Sequence, residues 1–156
     1  MRYSRAVYRR RSGKAVPASW TNAEIELVAE RAYQLHLQGK HLDATIIFEG
    51  ILAIDPENVY CLKALAALSL KLGSPEDVLK YADRALTLSP NEVEALACRC
   101  EANILLNRIA DAQRDLESIR RLRAEAHVVR LAMRIASVGK SPSNLLPDAT
   151  SRELER

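Results

Sequence analysis

Aromatic residues are scarce in this chain: one Trp, one Phe and five Tyr make up 4% of its 156 residues. With 48% apolar content there is still enough to bury a core in one domain, so that core must be built from Ala, Leu, Ile and Val, the material of closely packed helix pairs. Glycine is also limited to five residues and β-branched runs are short, which excludes a strand-rich class built on tight hairpins. The three cysteines, Cys61, Cys98 and Cys100, are too few and odd in number for a disulfide framework, so a reducing compartment is expected. Cys98 and Cys100 stand two apart on an expected helix, which turns their side chains roughly 200° from one another and prevents them from sharing a metal. No apolar run approaches the roughly 18 residues needed to span a bilayer, and residues 1–20 lack the apolar stretch of a secretory signal. The expected location is cytoplasmic.

Motifs that carry chemistry are missing too. There is no glycine-rich phosphate loop, no H-E-x-x-H, no G-x-S-x-G and no Cys-x-x-Cys. His36 and His41 lie five apart with no third ligand nearby in sequence, and Asp43, Glu49 and Asp77 fall on polar helix faces. The expectation is a non-enzymatic protein with no cofactor and no metal.

The net charge of +3 hides an asymmetry. Residues 1–20 hold Arg2, Arg5, Arg9, Arg10, Arg11 and Lys14 without an acid, whereas the remainder carries 17 basic against 20 acidic residues. This start, broken by Gly13 and Pro17, reads as a flexible basic arm. Thr21 with Glu24 then forms a capping box, with Trp20 placed to staple onto Ile25. The Asp55-Pro56-Glu57-Asn58 turn, the Ser74-Pro75-Glu76-Asp77 run and Asn91 with Glu94 mark three further helix starts. At the other end, residues 125–138 form an amphipathic helix with the properties of a solenoid cap, and residues 139–156 form a tail expected to be disordered.

Two punctuation marks recur between these ends at one period: Gly39 and Gly73, and Pro56 and Pro90, are each 34 residues apart. Small or apolar residues keep the same phase, with Ala32, Ala44 and Phe48 followed by Ala66, Val78, Ala82 and Ala85, then by Cys100, Ala112, Leu116 and Ile119. Residues 25–124 therefore resemble a tetratricopeptide-repeat protein. Departures from the pattern are Val28, Leu62 and Leu96 in place of its Trp, and Arg31 and Arg99 at its seventh position. The resemblance implies an all-α, right-handed α-solenoid: three helix-turn-helix repeats at about 25–58, 59–92 and 93–124, plus the capping helix, together a domain spanning 21–138.

In that family the first helix of each repeat lines a concave groove. The corresponding face here carries Tyr33 and His36, then Tyr60, Lys63, Ala67 and Leu70, then Glu101 and Ile104, with Glu26, Ala29, Glu94 and Ala97 beside them. These residues are the candidate peptide-binding site, the two tyrosines offering apolar area with a polar handle; the other reading is that the tyrosines pack against the neighbouring repeat. Family members that clamp the C-terminal carboxylate of heat-shock chaperones carry Lys, Asn and Arg where this chain has Ala29, Tyr33, Ala64, Glu94 and Cys98, so that clamp is absent. The run Gly39 to Ala44 with Phe48, and the run Cys100 to Leu106, also resemble the repeats of bacterial chaperones that hold type III secretion translocators. That second resemblance implies a partner polypeptide in the groove and, since N-terminal segments of the group build a dimer interface, a homodimer. The expected function is a protein-interaction module, adaptor or chaperone. The alternative is binding of nucleic acid or another polyanion through Arg2, Arg5, Arg9, Arg10, Arg11 and Lys14 by counterion release.

Overall fold

The computed structural model describes residues 20–122, together with residues 126–127, 130–131 and 133–134. The basic arm up to residue 19 and the tail from residue 139 lie outside the described residues. Six helices are delimited: α1 (Asn22–Leu37), α2 (His41–Ile54), α3 (Val59–Leu72), α4 (Pro75–Leu88), α5 (Val93–Leu105) and α6 (Ile109–Arg121). Among the described residues there is no strand. Each helix packs against the next, and α3 packs in addition on α5, the arrangement of stacked helical hairpins in an all-α solenoid. The described positions of the expected seventh helix are helical as well, and there Leu131 is buried.

Local chemistry explains most boundaries. The Thr21 hydroxyl accepts from the Glu24 amide at 3.3 Å while the Glu24 carboxylate accepts from the Thr21 amide at 2.7 Å, closing the capping box. Asn58 caps α3 by accepting from the Cys61 amide at 3.0 Å. Two expected starts behave differently. Ser74 precedes α4 but makes no side-chain cap, and the helix start is marked instead by Pro75, whose preset φ suits the first turn and whose missing amide leaves one donor fewer to satisfy. Helix α5 begins not at Asn91 but at Val93, since the Glu92 amide bonds back to the Ser89 carbonyl and spends Pro90 and Asn91 on a turn.

The turns inside the hairpins repeat in atomic detail. Gly39 (φ 78°), Gly73 (φ 75°) and Asn107 (φ 57°) occupy the left-handed region at 34-residue intervals. Behind them the amides of Lys40, Ser74 and Arg108 close onto the carbonyls of Leu35, Ser69 and Asn103 at 2.9, 3.0 and 2.7 Å. Asparagine tolerates this conformation better than other residues with a side chain, so the third repeat turns without glycine.

Within each hairpin the small position of the first helix (Ala32, Ala66, Cys100) and the facing position of the second (Ala44, Val78, Ala112) are fully buried, letting the backbones approach. The cysteines follow from this. Cys61 and Cys100 are buried, with burial pushing each thiol up to about 12, and half-buried Cys98 is pushed up to about 11 for the same reason. Since the thiolate is the reactive form, native protein treated with a disulfide reagent at pH 8 is expected to label slowly, with Cys98 first. Rapid modification of Cys100 would contradict the packing of the third hairpin.

Polar side chains stitch the hairpins together. Tyr81 on α4 donates to Glu49 on α2 at 2.6 Å. One repeat later, Arg99 on α5 donates to Asp83 on α4 at 2.7 Å and forks onto Asp115 on α6, with its closest contact at 2.6 Å. Asn103 adds a bond to Asp115 at 3.3 Å, and Asp115 is only 4% exposed. Arg99, which departs from the repeat pattern, is therefore the partner of a buried carboxylate.

Candidate functional site

The first helices α1, α3 and α5 carry the candidate groove residues, and they differ in how much surface they offer. Tyr33 on α1 is 43% exposed and Tyr60 on α3 is 50% exposed. Tyr60 meets Phe48 of α2 edge-on, ring centroids 6.1 Å apart, so part of its ring rests on the first hairpin while half of the residue stays exposed. Burial raises the Tyr60 phenol above its usual range, helped by Cys61, Glu30 and Tyr33, which places those groups around it. Tyr33 lies 6.3 Å from the His36 ring, and His36 in turn brings its Nδ1 to 3.2 Å from Nδ1 of His41. Burial, His41 and Lys71 together hold His36 below the ordinary histidine value.

Farther along, Lys63 on α3 lies between two acids at the start of the third repeat, 2.6 Å from Glu92 and 3.5 Å from Glu94. Burial alone would lower the Lys63 ammonium, but these carboxylates outweigh it and raise the pKa. Ala67 is exposed and Leu70 half-buried, whereas Ala29, Ala97 and Ile104 are buried and contribute packing beneath the surface rather than contact area. Glu101 is half-buried under two cations of the C-terminal helical segment, Arg134 at 2.8 Å and Arg130 at 3.4 Å. The structure thus gathers Tyr33, Tyr60 and His36 at the α1–α3 end, keeps Lys63 in a salt-bridged trio, and places Glu101 and Ile104 at the covered end. Arg2, Arg5, Arg9, Arg10, Arg11 and Lys14 lie outside the described residues.

Glu30, not singled out by the sequence reading, belongs to this surface. It accepts from Gln34 at 2.7 Å and stands close enough to Tyr60 to affect its ionisation. Its place three residues before Tyr33, on the same helix face, was the available signal. Among the described residues no three His, Cys, Asp or Glu side chains converge as a metal site, and no helix is long and apolar enough to cross a membrane. Away from the groove, Leu42 and Ile46 stand exposed on the outer face of α2 (66% and 67%), where α4 presents Glu76 and Lys80.

Solved structures share this architecture. PcrH of Pseudomonas aeruginosa, in complex with the chaperone-binding region of PopD, superposes with a TM-score of 0.71 at 21% identity, covering 79% of this chain and 96% of that one. The first tetratricopeptide-repeat domain of Spaghetti (RPAP3), bound to the HSP90 peptide SRMEEVD, gives a TM-score of 0.66 at 18% identity, over 76% of this chain and 98% of that one. The fold is that of the tetratricopeptide repeat. Among other solved tetratricopeptide structures, the Yersinia enterocolitica type III secretion chaperone SycD, in complex with a peptide of the translocator YopD, matches with a TM-score of 0.69 at 15% identity, over 76% of this chain and 94% of that one. No family model matches the sequence. A curated relative from Schizosaccharomyces pombe, described as a homolog of DnaJ homolog subfamily C member 7, is 29% identical over 99 residues; these are 61% of this chain, and they span about a fifth of the relative's length.

Proposed function

We propose that this chain is a non-enzymatic adaptor or chaperone that holds a segment of a partner protein in the concave groove, with Tyr33 and Tyr60 as its anchors. The observation that carries the reading is the exposure of two tyrosines side by side on successive first helices, where large rings would otherwise be buried. A tyrosine buries much apolar area at small entropic cost and keeps a hydroxyl for the partner's backbone, and such residues dominate binding energy at interfaces. Support also comes from the tetratricopeptide domains of like fold that hold peptides of PopD, YopD and HSP90.

Among these, the secretion chaperones supply the finer reading. They superpose somewhat more closely than the Spaghetti domain, with TM-scores of 0.71 and 0.69 against 0.66, and Ala29, Tyr33, Ala64, Glu94 and Cys98 supply none of the cations that would suit an acidic C-terminal peptide. The function we infer is the holding of a translocator-like export substrate, which co-expression with the product of an adjoining gene would reveal as a soluble complex.

The test uses peptides selected from a random library on the immobilised chain. Tyr33→Ala/Tyr60→Ala is expected to leave circular dichroism and the melting curve nearly unchanged and to weaken those peptides more than tenfold, about 1.4 kcal/mol. Unfolding of the double variant would make the tyrosines core residues, and undiminished binding would move the working surface elsewhere.

A further inference from the structure

The charges around the two tyrosines are unbalanced in a way that selects a ligand. Lys63 is occupied by Glu92 and Glu94, and Glu101 by Arg134 and Arg130. Glu26 and Glu30, exposed on the α1 turns leading to Tyr33, have no ion-pair partner among the described residues, and Gln34 gives Glu30 only a neutral donor. Glu30, one turn before Tyr33, also stands close enough to Tyr60 to disfavour its ionisation. At the opposite end of α1 the sign reverses: Lys71 lies close enough to His36 to disfavour its protonation. An apolar side chain seated on Tyr33 and Tyr60 therefore has carboxylates beside it on one flank.

We propose, resting on the groove reading above, that the ligand is an apolar segment with a lysine or arginine beside its anchor residue, the cation facing Glu26 and Glu30. A cation there meets two carboxylates and the faces of two electron-rich rings, so the ion pair gains from an aromatic surface that a bare surface pair lacks. A glutamate in its place meets two like charges. The partner's charge is thereby opposite to that of the acidic SRMEEVD segment held by the Spaghetti domain, and such juxtapositions set specificity more than total affinity.

The experiment selects random dodecamers on the full chain and then compares the best binder with its Lys/Arg→Glu counterpart and with labelled SRMEEVD by fluorescence polarisation. Wild type, Glu26→Gln/Glu30→Gln and Tyr33→Ala/Tyr60→Ala are each measured. The expected result is enrichment of sequences with Lys or Arg within two positions of a large apolar residue, and no saturable binding of SRMEEVD. The charge reversal should weaken wild-type binding by about tenfold, and the Glu26→Gln/Glu30→Gln protein, still folded, by less than about threefold. Neutral or acidic winners, or an equal loss in that variant, overturn the proposal while tyrosine-dependent binding leaves the groove reading standing. Binding insensitive to the tyrosines, or a library that yields no binder, overturns both.

Discussion

Replacing Asp115 by alanine is expected to cost about 3 kcal/mol of folding stability, seen as a lower denaturation midpoint at unchanged slope. Asp115 is buried and receives both the forked Arg99 contact and the Asn103 amide. Removing it leaves a guanidinium whose side chain is only 29% exposed with Asp83 alone, and a buried amide with no acceptor. Loss of one partner from a buried pair costs about 3–5 kcal/mol, and the remaining Asp83 contact places this case at the low end. The internal symmetry supplies a rescue. One repeat earlier, the equivalent positions hold Leu65, Ser69 and Tyr81, and Tyr81 donates to Glu49, the equivalent of Asp83. The triple change Arg99→Leu, Asn103→Ser, Asp115→Tyr should recover most of the loss, because it exchanges a buried ion pair for a packed ring whose hydroxyl finds the same carboxylate. A triple variant as unstable as Asp115→Ala would show that the two hairpins do not stack alike.

Phe48→Ala is expected to remove about 3–5 kcal/mol, because the only phenylalanine is 1% exposed between the helices of the first hairpin and its loss leaves a cavity. The effect should extend to the groove, since Tyr60 rests edge-on against this ring. Phe48→Leu keeps most of the volume and should cost less than half as much while still freeing Tyr60. Urea denaturation followed at 222 nm measures the first effect, and the loss of a red-shifted tyrosine environment in near-ultraviolet circular dichroism measures the second. A cost under about 1 kcal/mol for Phe48→Ala would contradict the packing of α1 on α2.

The solenoid was readable because its signals are local and recur. Gly39 and Gly73 mark turns that need a left-handed residue, the small residues at Ala32, Ala66 and Cys100 mark helix crossings, and the starts of α1, α3 and α4 follow from caps and a proline within a few residues. The Arg99–Asp115–Asp83 network was not readable in this way. Its members come from three helices, and a charge at an interior position identifies itself only once the carboxylate facing it is known. An arginine where the repeat expects an apolar residue was the visible half of that signal; Arg31, at the same position of the first repeat, is exposed and needs no partner. The groove shows the same limit. Periodicity placed Tyr33 and Tyr60 on one face and both are exposed, but the same periodicity included Ala29, Ala97 and Ile104, which burial removes from the surface. Spacing along one helix fixes a direction, whereas the depth at which a side chain ends depends on the neighbouring helix.

Amide chemical-shift mapping with the tightest peptide from the library tests the groove most directly. Titration into nitrogen-15-labelled protein should move resonances of α1 and α3 around Glu30, Tyr33, Tyr60, Ala67 and Leu70, and leave the outer faces of α2, α4 and α6 unmoved. Shifts centred instead on Leu42 and Ile46, or confined to the Arg-rich residues before Trp20, would contradict the account.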